Sequence, residues 1–119
     1  MSDQSYRPHE RLRTKEQYER VLLRKCTARG RYLLVYGCEN DVGHPRLGRI
    51  VSKRWGNAVA RNKLRRWLRE AFRLHKAKLP EIDLVVMINQ KLGINFHTIE
   101  AELPGLARQA QQKLRLKQG

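Results

Sequence analysis

The segment that most limits how this chain can fold is residues 60–73, which read ARNKLRRWLREAFR. Six of its fourteen side chains are Lys or Arg and one is acidic. Cations at helical spacing repel one another, so such a helix needs an apolar face to bury and an external partner for its charge. At about 100° per residue, one face is apolar and holds Ala60, Leu64, Trp67, Leu68, Ala71 and Leu74, with Phe72 at its margin.

The polar face of this predicted helix is dominated by arginine. The helix is expected to follow the Gly56-Asn57 break and to run over about residues 57–76. A planar guanidinium fork suits bidentate phosphate contacts and stacking on bases. Asn62 adds an amide that could bind a base edge, a ribose or a phosphate. The polar arc consists of Arg61, Asn62, Arg65, Arg66, Arg69 and Arg73.

Positive charge extends beyond the helix. Residues 46–78 contain twelve Lys or Arg and one acid, Glu70. Lys53 and Arg54 lie just before the helix, whose first amides offer a further anion site. The formal net charge of +15 favours polyanions, with nucleic acid as the first candidate and an anionic membrane surface as the second. A basic surface that is merely solvated is the third alternative.

Composition predicts one folded domain. The 40% hydrophobic content argues against a disordered basic tail, and 119 residues suit a single core. Residues 1–13 are polar throughout and are predicted to form a flexible basic arm, with neither a signal peptide nor a membrane span, before a single domain at 14–117. Cys26 and Cys38 are predicted to be reduced thiols, and the protein is expected in the cytoplasm, with no membrane partner.

Two more helices are predicted. The capping box Thr14–Gln17 begins a helix through about residue 25. A last helix is expected over 98–116 with Thr98 as its cap, although Pro104 requires a kink or a start nearer to the proline.

Three segments are predicted as strands. Residues 31–39 and 46–53 form the first two, and the turn-forming residues 39–45 between them predict a hairpin. Gly48 suggests a bulge or a close backbone approach. Residues 83–88 have the apolar character of a buried strand. The order α-β-β-α-β-α predicts an α+β sandwich with helices on one mixed sheet, and its β-α-β crossover would be right-handed by default.

No catalytic constellation is legible in the sequence. Hydrolysis by bound metal needs clustered carboxylates or histidines, and the acids are scattered. His75 fits a partner for the helix dipole. Tyr18 fits core packing or a ligand contact. The residues without metal-ligand spacing are His9, His44, His75, His97, Cys26 and Cys38. We therefore predict a binding subunit with no catalytic residues and no metal site of its own.

Residues 46–73, RLGRIVSKRWGNAVARNKLRRWLREAFR, carry a specific resemblance. They are similar to the signature of the bacterial ribonuclease P protein component: Arg-Leu-Gly, a strand, Ser-Lys-Lys/Arg, Gly-Asn-Ala-Val, Arg-Asn-Arg and Arg-x-x-Arg-Glu. The first helix, the strand at 83–88 and the last helix fit the family as well. The resemblance therefore covers nearly the whole chain.

The resemblance implies that the chain is an RNA-binding subunit of an endoribonuclease. The family's protein assists a catalytic RNA that removes the 5′ leader of precursor tRNA, with Mg²⁺ held mainly by RNA. The holoenzyme is then the enzyme, and the protein alone is non-catalytic. The resemblance also implies a left-handed β-α-β crossover in place of the default.

The resemblance further implies two RNA-binding surfaces. The residues expected to bind the catalytic RNA are Lys53, Arg54, Asn57, Arg61, Asn62, Lys63, Arg65, Arg66, Arg69 and Arg73. Those expected to bind the precursor-tRNA leader are Arg11, Arg13, Tyr18, Leu22 and Tyr36, since aromatic faces among cations suit unpaired bases.

The chain departs from the family pattern at two positions. Lys63 replaces an arginine and loses the bidentate fork, and Leu22 stands where a second aromatic residue is frequent. Two other classes of function fit parts of the sequence. A ribosomal or general RNA-binding protein would explain the charge and the fold. A DNA-binding module would place the 57–76 helix in a major groove.

Overall fold

The computed structural model describes residues 7–118 and confirms an α+β sandwich built on a four-stranded mixed sheet. One strand more is present than the sequence predicted, so the order is α-β-β-β-α-β-α. The elements are α1 (Lys15–Leu23), β1 (Cys26–Arg29), β2 (Leu33–Glu39), β3 (Arg46–Ile50), α2 (Ala58–His75), β4 (Ile82–Ile88) and α3 (Phe96–Gln118). Short 3-10 turns occupy Pro8–Glu10, Lys53–Trp55 and Lys76–Lys78.

The strand order is β1-β2-β4-β3, which makes the predicted hairpin of β2 with β3 wrong. β4 lies between them, antiparallel to β2 and parallel to β3, and β2 forms its hairpin with the unpredicted β1. The apolar run of β4 explains its position, because only a central strand is covered on both faces and both edges. The β3-α2-β4 connection is the predicted parallel crossover, and its handedness stays a prediction.

Helices cover both faces of the sheet. Successive strand residues point to opposite faces, so Val35 packs in the large core with α2 and α3, whereas Tyr36 packs in a smaller cluster with α1. That smaller cluster consists of Leu12, Val21, Cys38 and Val85, with Tyr18, Leu22, Tyr36 and Ile50 packed against it. Both cysteines are buried and free.

The helix ends are set by side-chain caps. The predicted capping box of Thr14 and Gln17 begins α1. Asn57 caps α2 after Gly56, whose φ of 129° is accessible mainly to glycine. The Thr98 cap is wrong: Asn95 caps α3, accepting from the Thr98 backbone N–H at 3.0 Å, and Thr98 Oγ1 accepts in return from the Asn95 N–H. Pro104 lies inside α3.

The apolar face of α2 differs slightly from the predicted face. Phe72, placed at its margin, is fully buried, and Leu74, placed within it, is 36% exposed. The buried face of α2 therefore includes Phe72 and leaves Leu74 partly exposed, because burial of the larger aromatic side chain contributes more free energy.

The predicted N-terminal arm includes a segment that packs on the domain. Leu12 is buried, and its N–H donates to the Leu47 carbonyl at 3.0 Å. Glu10 is buried too and pairs with Lys76 at the end of α2, 3.0 Å away. Residues 1–6 of the predicted arm lie outside the described residues.

Candidate nucleic-acid interface

We call the polar arc predicted on α2 the arginine arc, and it faces away from the core. It consists of Arg61, Asn62, Arg65, Arg66, Arg69 and Arg73. Asn62, Lys63 and Arg66 are exposed, and Arg61, Arg65, Arg69 and Arg73 are half-buried with their stems along the helix. The structure therefore brings the predicted helix residues onto one surface, as their helical spacing requires.

Glu70 divides this arc. Its carboxylate accepts two hydrogen bonds from Arg73, at 2.7 and 3.1 Å, and lies 3.5 Å from Arg69. The Arg73 hydrogen bonds, with the charge of Arg69, hold the pKa of Glu70 below its ordinary value. Arg69 and Arg73 are thus partly neutralised, whereas Arg65 contacts only the neutral Asn62 side chain among the partners described for its guanidinium, at 3.2 Å. The N-terminal half of the arc carries the stronger uncompensated charge.

The turn before α2 carries three further predicted residues. Lys53 and Arg54 are exposed, and the Arg54 guanidinium lies 4.7 Å from the ring centroid of Trp55. The Asn57 side chain accepts from the Ala60 N–H at 2.9 Å, so this residue caps the helix. Its capping bond fixes the start of α2 directly after the turn that carries Lys53 and Arg54.

Tyr18, Leu22 and Tyr36 pack against the same small cluster between α1 and the sheet, and we call this group the aromatic cleft. All three side chains are half-buried, which combines core packing with an accessible edge. The Tyr18 hydroxyl accepts from the Arg49 N–H at 3.0 Å. Its ring covers Gly48, so the close approach predicted at that glycine is made by a side chain.

Arg11 and Arg13 do not line the aromatic cleft. They border a groove beside the start of α1, which they share with His9 and His44, and we call it the histidine groove. The leader-binding role predicted for Arg11 and Arg13 stays a prediction.

The sequence reasoning missed another groove, of about 380 Å³, at the end of the sheet. Its lining includes Arg29, Arg54, Trp55 and Asn89. Arg29 was not predicted to line a site because β1, the strand that carries it, was not predicted. Trp55, directly after two cations, was the available signal.

Arg49 connects the aromatic cleft to the arginine arc. Its backbone N–H binds Tyr18, and its guanidinium donates to the Arg65 backbone carbonyl at 2.9 Å. The two candidate surfaces are therefore fixed relative to one another by a single residue of β3.

The chemistry available at these surfaces is the binding of an anionic polymer that offers phosphates and bases. Within residues 7–118 there is no group of three or more His, Cys, Asp or Glu side chains able to hold a metal ion. No described helix combines the length and the apolar character needed to cross a membrane.

Comparison with known proteins identifies relatives of this fold and sequence. The family model described as "Ribonuclease P" matches residues 6–111. The ribonuclease P protein component of Chromohalobacter salexigens is 34% identical over 118 residues, covering 97% of this chain and 92% of that protein. That of Syntrophobacter fumaroxidans is 44% identical over 84 residues, covering 69% and 71%.

Solved structures match as well. The RNase P protein from Thermotoga maritima superposes with a TM-score of 0.75 at 32% identity, covering 83% of this chain and 96% of that one. The Staphylococcus aureus RNase P protein gives 0.74 at 32% identity, covering 83% and 93%.

Proposed function

This chain belongs to the family of bacterial ribonuclease P protein components, and on that premise we propose that it binds the 5′ leader of precursor tRNA beside the catalytic RNA. As a family member it is the protein subunit of ribonuclease P, an endoribonuclease of tRNA processing whose partner is ribonuclease P RNA. We further propose that the RNA performs the cleavage with Mg²⁺ held mainly by RNA, that the protein alone is non-catalytic, and that the holoenzyme acts in the cytoplasm.

The observation that carries this proposal is the link through Arg49 between the arginine arc and the aromatic cleft. Leader cleavage needs one strand held at a fixed distance from the catalytic RNA. A protein with two RNA surfaces joined by a rigid strand can supply that distance. A general RNA-binding protein needs no such pairing of surfaces.

The arginine arc is proposed to bind the catalytic RNA. Arg61, Asn62 and Arg65 lie in its N-terminal half, where Glu70 does not compensate the charge. Guanidinium groups there would contact phosphates, which position the subunit without reading sequence. Lys53, Arg54 and the amides of the first α2 turn extend the same surface.

The aromatic cleft is proposed to hold the leader. Tyr18 and Tyr36 present ring edges between α1 and the sheet, and Leu22 adds apolar contact. Each stacked base would contribute about 1–3 kcal/mol without a requirement for a particular base. Preference for precursor over mature tRNA would follow, because only the precursor has a leader.

The deciding experiment is cleavage of precursor tRNA by the protein, by the catalytic RNA and by both together. We expect no cleavage by the protein alone and strong stimulation of the RNA at limiting Mg²⁺. Cleavage by RNA-free protein would refute the non-catalytic role. Failure to stimulate the RNA, with tight binding to duplex DNA instead, would favour the DNA-binding alternative.

Two substitutions separate the surfaces. Arg65→Ala should raise the protein concentration needed for activity on every precursor. The control is Arg108→Ala, which replaces an exposed arginine of α3.

Tyr36→Ala should preserve assembly and remove the affinity difference between precursor and mature tRNA, whereas Tyr36→Phe, which keeps the ring, should retain that difference. A Tyr36→Ala protein that unfolds or keeps its full leader preference would disprove the assignment of Tyr36.

A further inference from the structure

We propose that the histidine groove is a phosphate-binding site, separate from the arginine arc and the aromatic cleft. The groove has a volume of about 470 Å³ and lies between the segment 8–13, the start of α1 and the loop from β2 to β3. No acidic side chain is among its described lining residues. The polar side chains that line it are His9, Arg11, Arg13, Gln17, His44 and Arg46.

The N-terminal wall of the groove is fixed by hydrogen bonds. Leu12 is anchored in the core, and its N–H donates to the Leu47 carbonyl. The Gln17 side-chain oxygen accepts from the Arg13 N–H at 2.6 Å and from the Thr14 N–H at 3.1 Å. Arg11 and Arg13 flank the buried Leu12 in an extended segment, so both guanidinium groups project from the same side toward solvent.

The two histidines form a pair across the groove. The ring centroids of His9 and His44 lie 5.1 Å apart with an interplanar angle of 85°. His44 Nδ1 lies 3.0 Å from the Pro45 carbonyl oxygen, which can only accept, so Nδ1 carries the proton. Nε2 is then the ring nitrogen available to hydrogen-bond a bound phosphate.

A buried carboxylate supports the opposite wall. Asp83 is fully buried and binds the Arg46 guanidinium through two hydrogen bonds, at 2.7 and 2.8 Å, and Arg20 through a third. Asp83 thus pairs with two arginines, and of these Arg46 lines the groove. The Asn40 amide donates to Asp83 and to the His44 carbonyl, so the loop that carries His44 is tied to the same carboxylate.

The chemistry of the groove selects an oxyanion with several acceptor oxygens. Arginine forks and histidine rings from three segments of the chain match phosphate, and the exposed Asp41 near Arg46 does not line the groove. Arg46 precedes Gly48, the glycine under Tyr18, by two residues, or about 7 Å along a strand. One RNA strand can therefore reach both the groove and the aromatic cleft.

Only the assignment of this phosphate to RNA rests on the proposed function. Phosphate binding itself follows from the groove. Orthophosphate therefore serves as the first probe, because its binding does not depend on precursor tRNA.

The test is a titration of the full chain with orthophosphate at constant ionic strength, followed through the ring signals of its histidines by NMR. We expect saturable shifts for His9 and His44 and none for His97, an exposed histidine of α3. The double variant His9→Gln/His44→Gln should bind phosphate about tenfold more weakly, since it loses two ring hydrogen bonds to the anion. His97→Gln should bind like the parent protein. Because His9 is exposed and His44 is half-buried, the variant should unfold close to the parent protein in chloride.

Five-nucleotide RNAs with and without a 5′ phosphate identify the natural source. A terminal-phosphate site binds the phosphorylated RNA more tightly, and the double variant abolishes that difference. A site for a backbone diester binds both RNAs alike, and the double variant weakens both. Static His9 and His44 signals, or unchanged phosphate affinity in the double variant, would overturn the proposal. If the parent protein binds precursor and mature tRNA equally well, the proposed function is refuted and the orthophosphate result still stands.

Discussion

The geometry of the aromatic cleft depends on the absence of a Cβ atom at Gly48. A Cβ at this position would lie 2.8 Å from two ring carbons of Tyr18 and 3.1 Å from a methyl group of Leu12. The Tyr18 ring cannot easily retreat, because its hydroxyl is held by the Arg49 N–H. Side-chain volume at residue 48 therefore controls how closely α1 approaches the sheet.

Replacement of Gly48 with Ala should destabilise the protein by about 1–3 kcal/mol, the usual effect of overpacking. It should also weaken binding of precursor tRNA more than binding of mature tRNA, because Tyr18 is displaced. Gly105→Ala is the matched control: a Cβ at that residue would meet no atom within 4 Å, so the helix α3 should gain about 0.5–1 kcal/mol. Chemical denaturation and tRNA titrations measure both effects. Equal stability of the two variants would contradict the close contact.

Glu10 makes the stability of the protein depend on pH. Burial by itself would raise the pKa of Glu10, but the Arg7 backbone N–H and the Lys76 ammonium outweigh it and lower the pKa below 4.5. A carboxyl group with a lowered pKa in the folded state stabilises the protein above its unfolded pKa, and that contribution is lost as the pH falls through the folded value.

Glu10→Gln should therefore reduce the free energy of unfolding by about 1–3 kcal/mol near neutral pH. The difference between variant and parent should shrink once the pH falls below about 4.5. Urea unfolding at a series of pH values measures this difference. A difference that stays constant down to about pH 3 would show that the carboxylate charge is not the cause.

At the residue scale, the sequence predicted which side chains share a surface better than which side chains contact one another. The arginines of α2 were placed on one face by helical spacing, and Tyr18 and Tyr36 were grouped by resemblance. Asp83 and Arg49 were found by neither, because their importance comes from partners that the fold brings from distant segments. Spacing along a chain reveals one helix face, but it cannot reveal a carboxylate shared by three elements.

At the scale of elements, α2 depends on the residue that precedes it and caps it. Asn57 was predicted to bind RNA, and the structure gives it a capping bond to the Ala60 N–H. The two roles predict different responses to substitution, since capping can be supplied by another short polar side chain.

Asn57→Ala should cost about 1 kcal/mol of stability through loss of the cap, and Asn57→Ser should restore most of it. If capping is the whole role, RNA affinity should follow stability in both variants. Thermal unfolding and binding of the catalytic RNA measure the two quantities. An Asn57→Ser protein with normal stability and weakened RNA affinity would instead support a direct RNA contact.

Element prediction succeeded where local signals were strong and failed where pairing decides. The Thr14–Gln17 box and the Gly56-Asn57 break placed two helix starts correctly. β1 was missed because its four residues, CTAR, carry little strand signal without β2 beside them. The predicted hairpin of β2 and β3 was wrong because a short turn between two strands suggests that they are neighbours in the sheet. No local sequence feature indicates that β4 lies between them.

At the scale of the whole molecule, the net charge of +15 opposes compaction. The few described acids are mostly engaged with arginine, lysine or histidine, as at Asp83, Glu70 and Glu100. Anions that bind the folded state should therefore stabilise it in proportion to RT ln(1 + [L]/Kd).

The melting temperature should accordingly rise with phosphate or sulfate at fixed ionic strength, and affinity for the catalytic RNA should fall linearly on a log–log salt plot. The slope should be about 0.7–0.9 per phosphate contacted. Arg65→Ala should reduce that slope by about one contact, whereas Tyr36→Ala should leave it unchanged. A melting temperature indifferent to both anions, or an affinity insensitive to salt, would contradict an electrostatic basis.

The central position of β4 has a consequence for how the chain is made. The ribosome delivers α2, complete at His75, before it delivers β4, which begins at Ile82. Until β4 emerges, β3 lacks the strand it pairs with from Arg46 to Ile50, and β2 lacks a partner on one edge. During translation the most basic helix is therefore exposed to cellular RNA before the sheet that will support it exists.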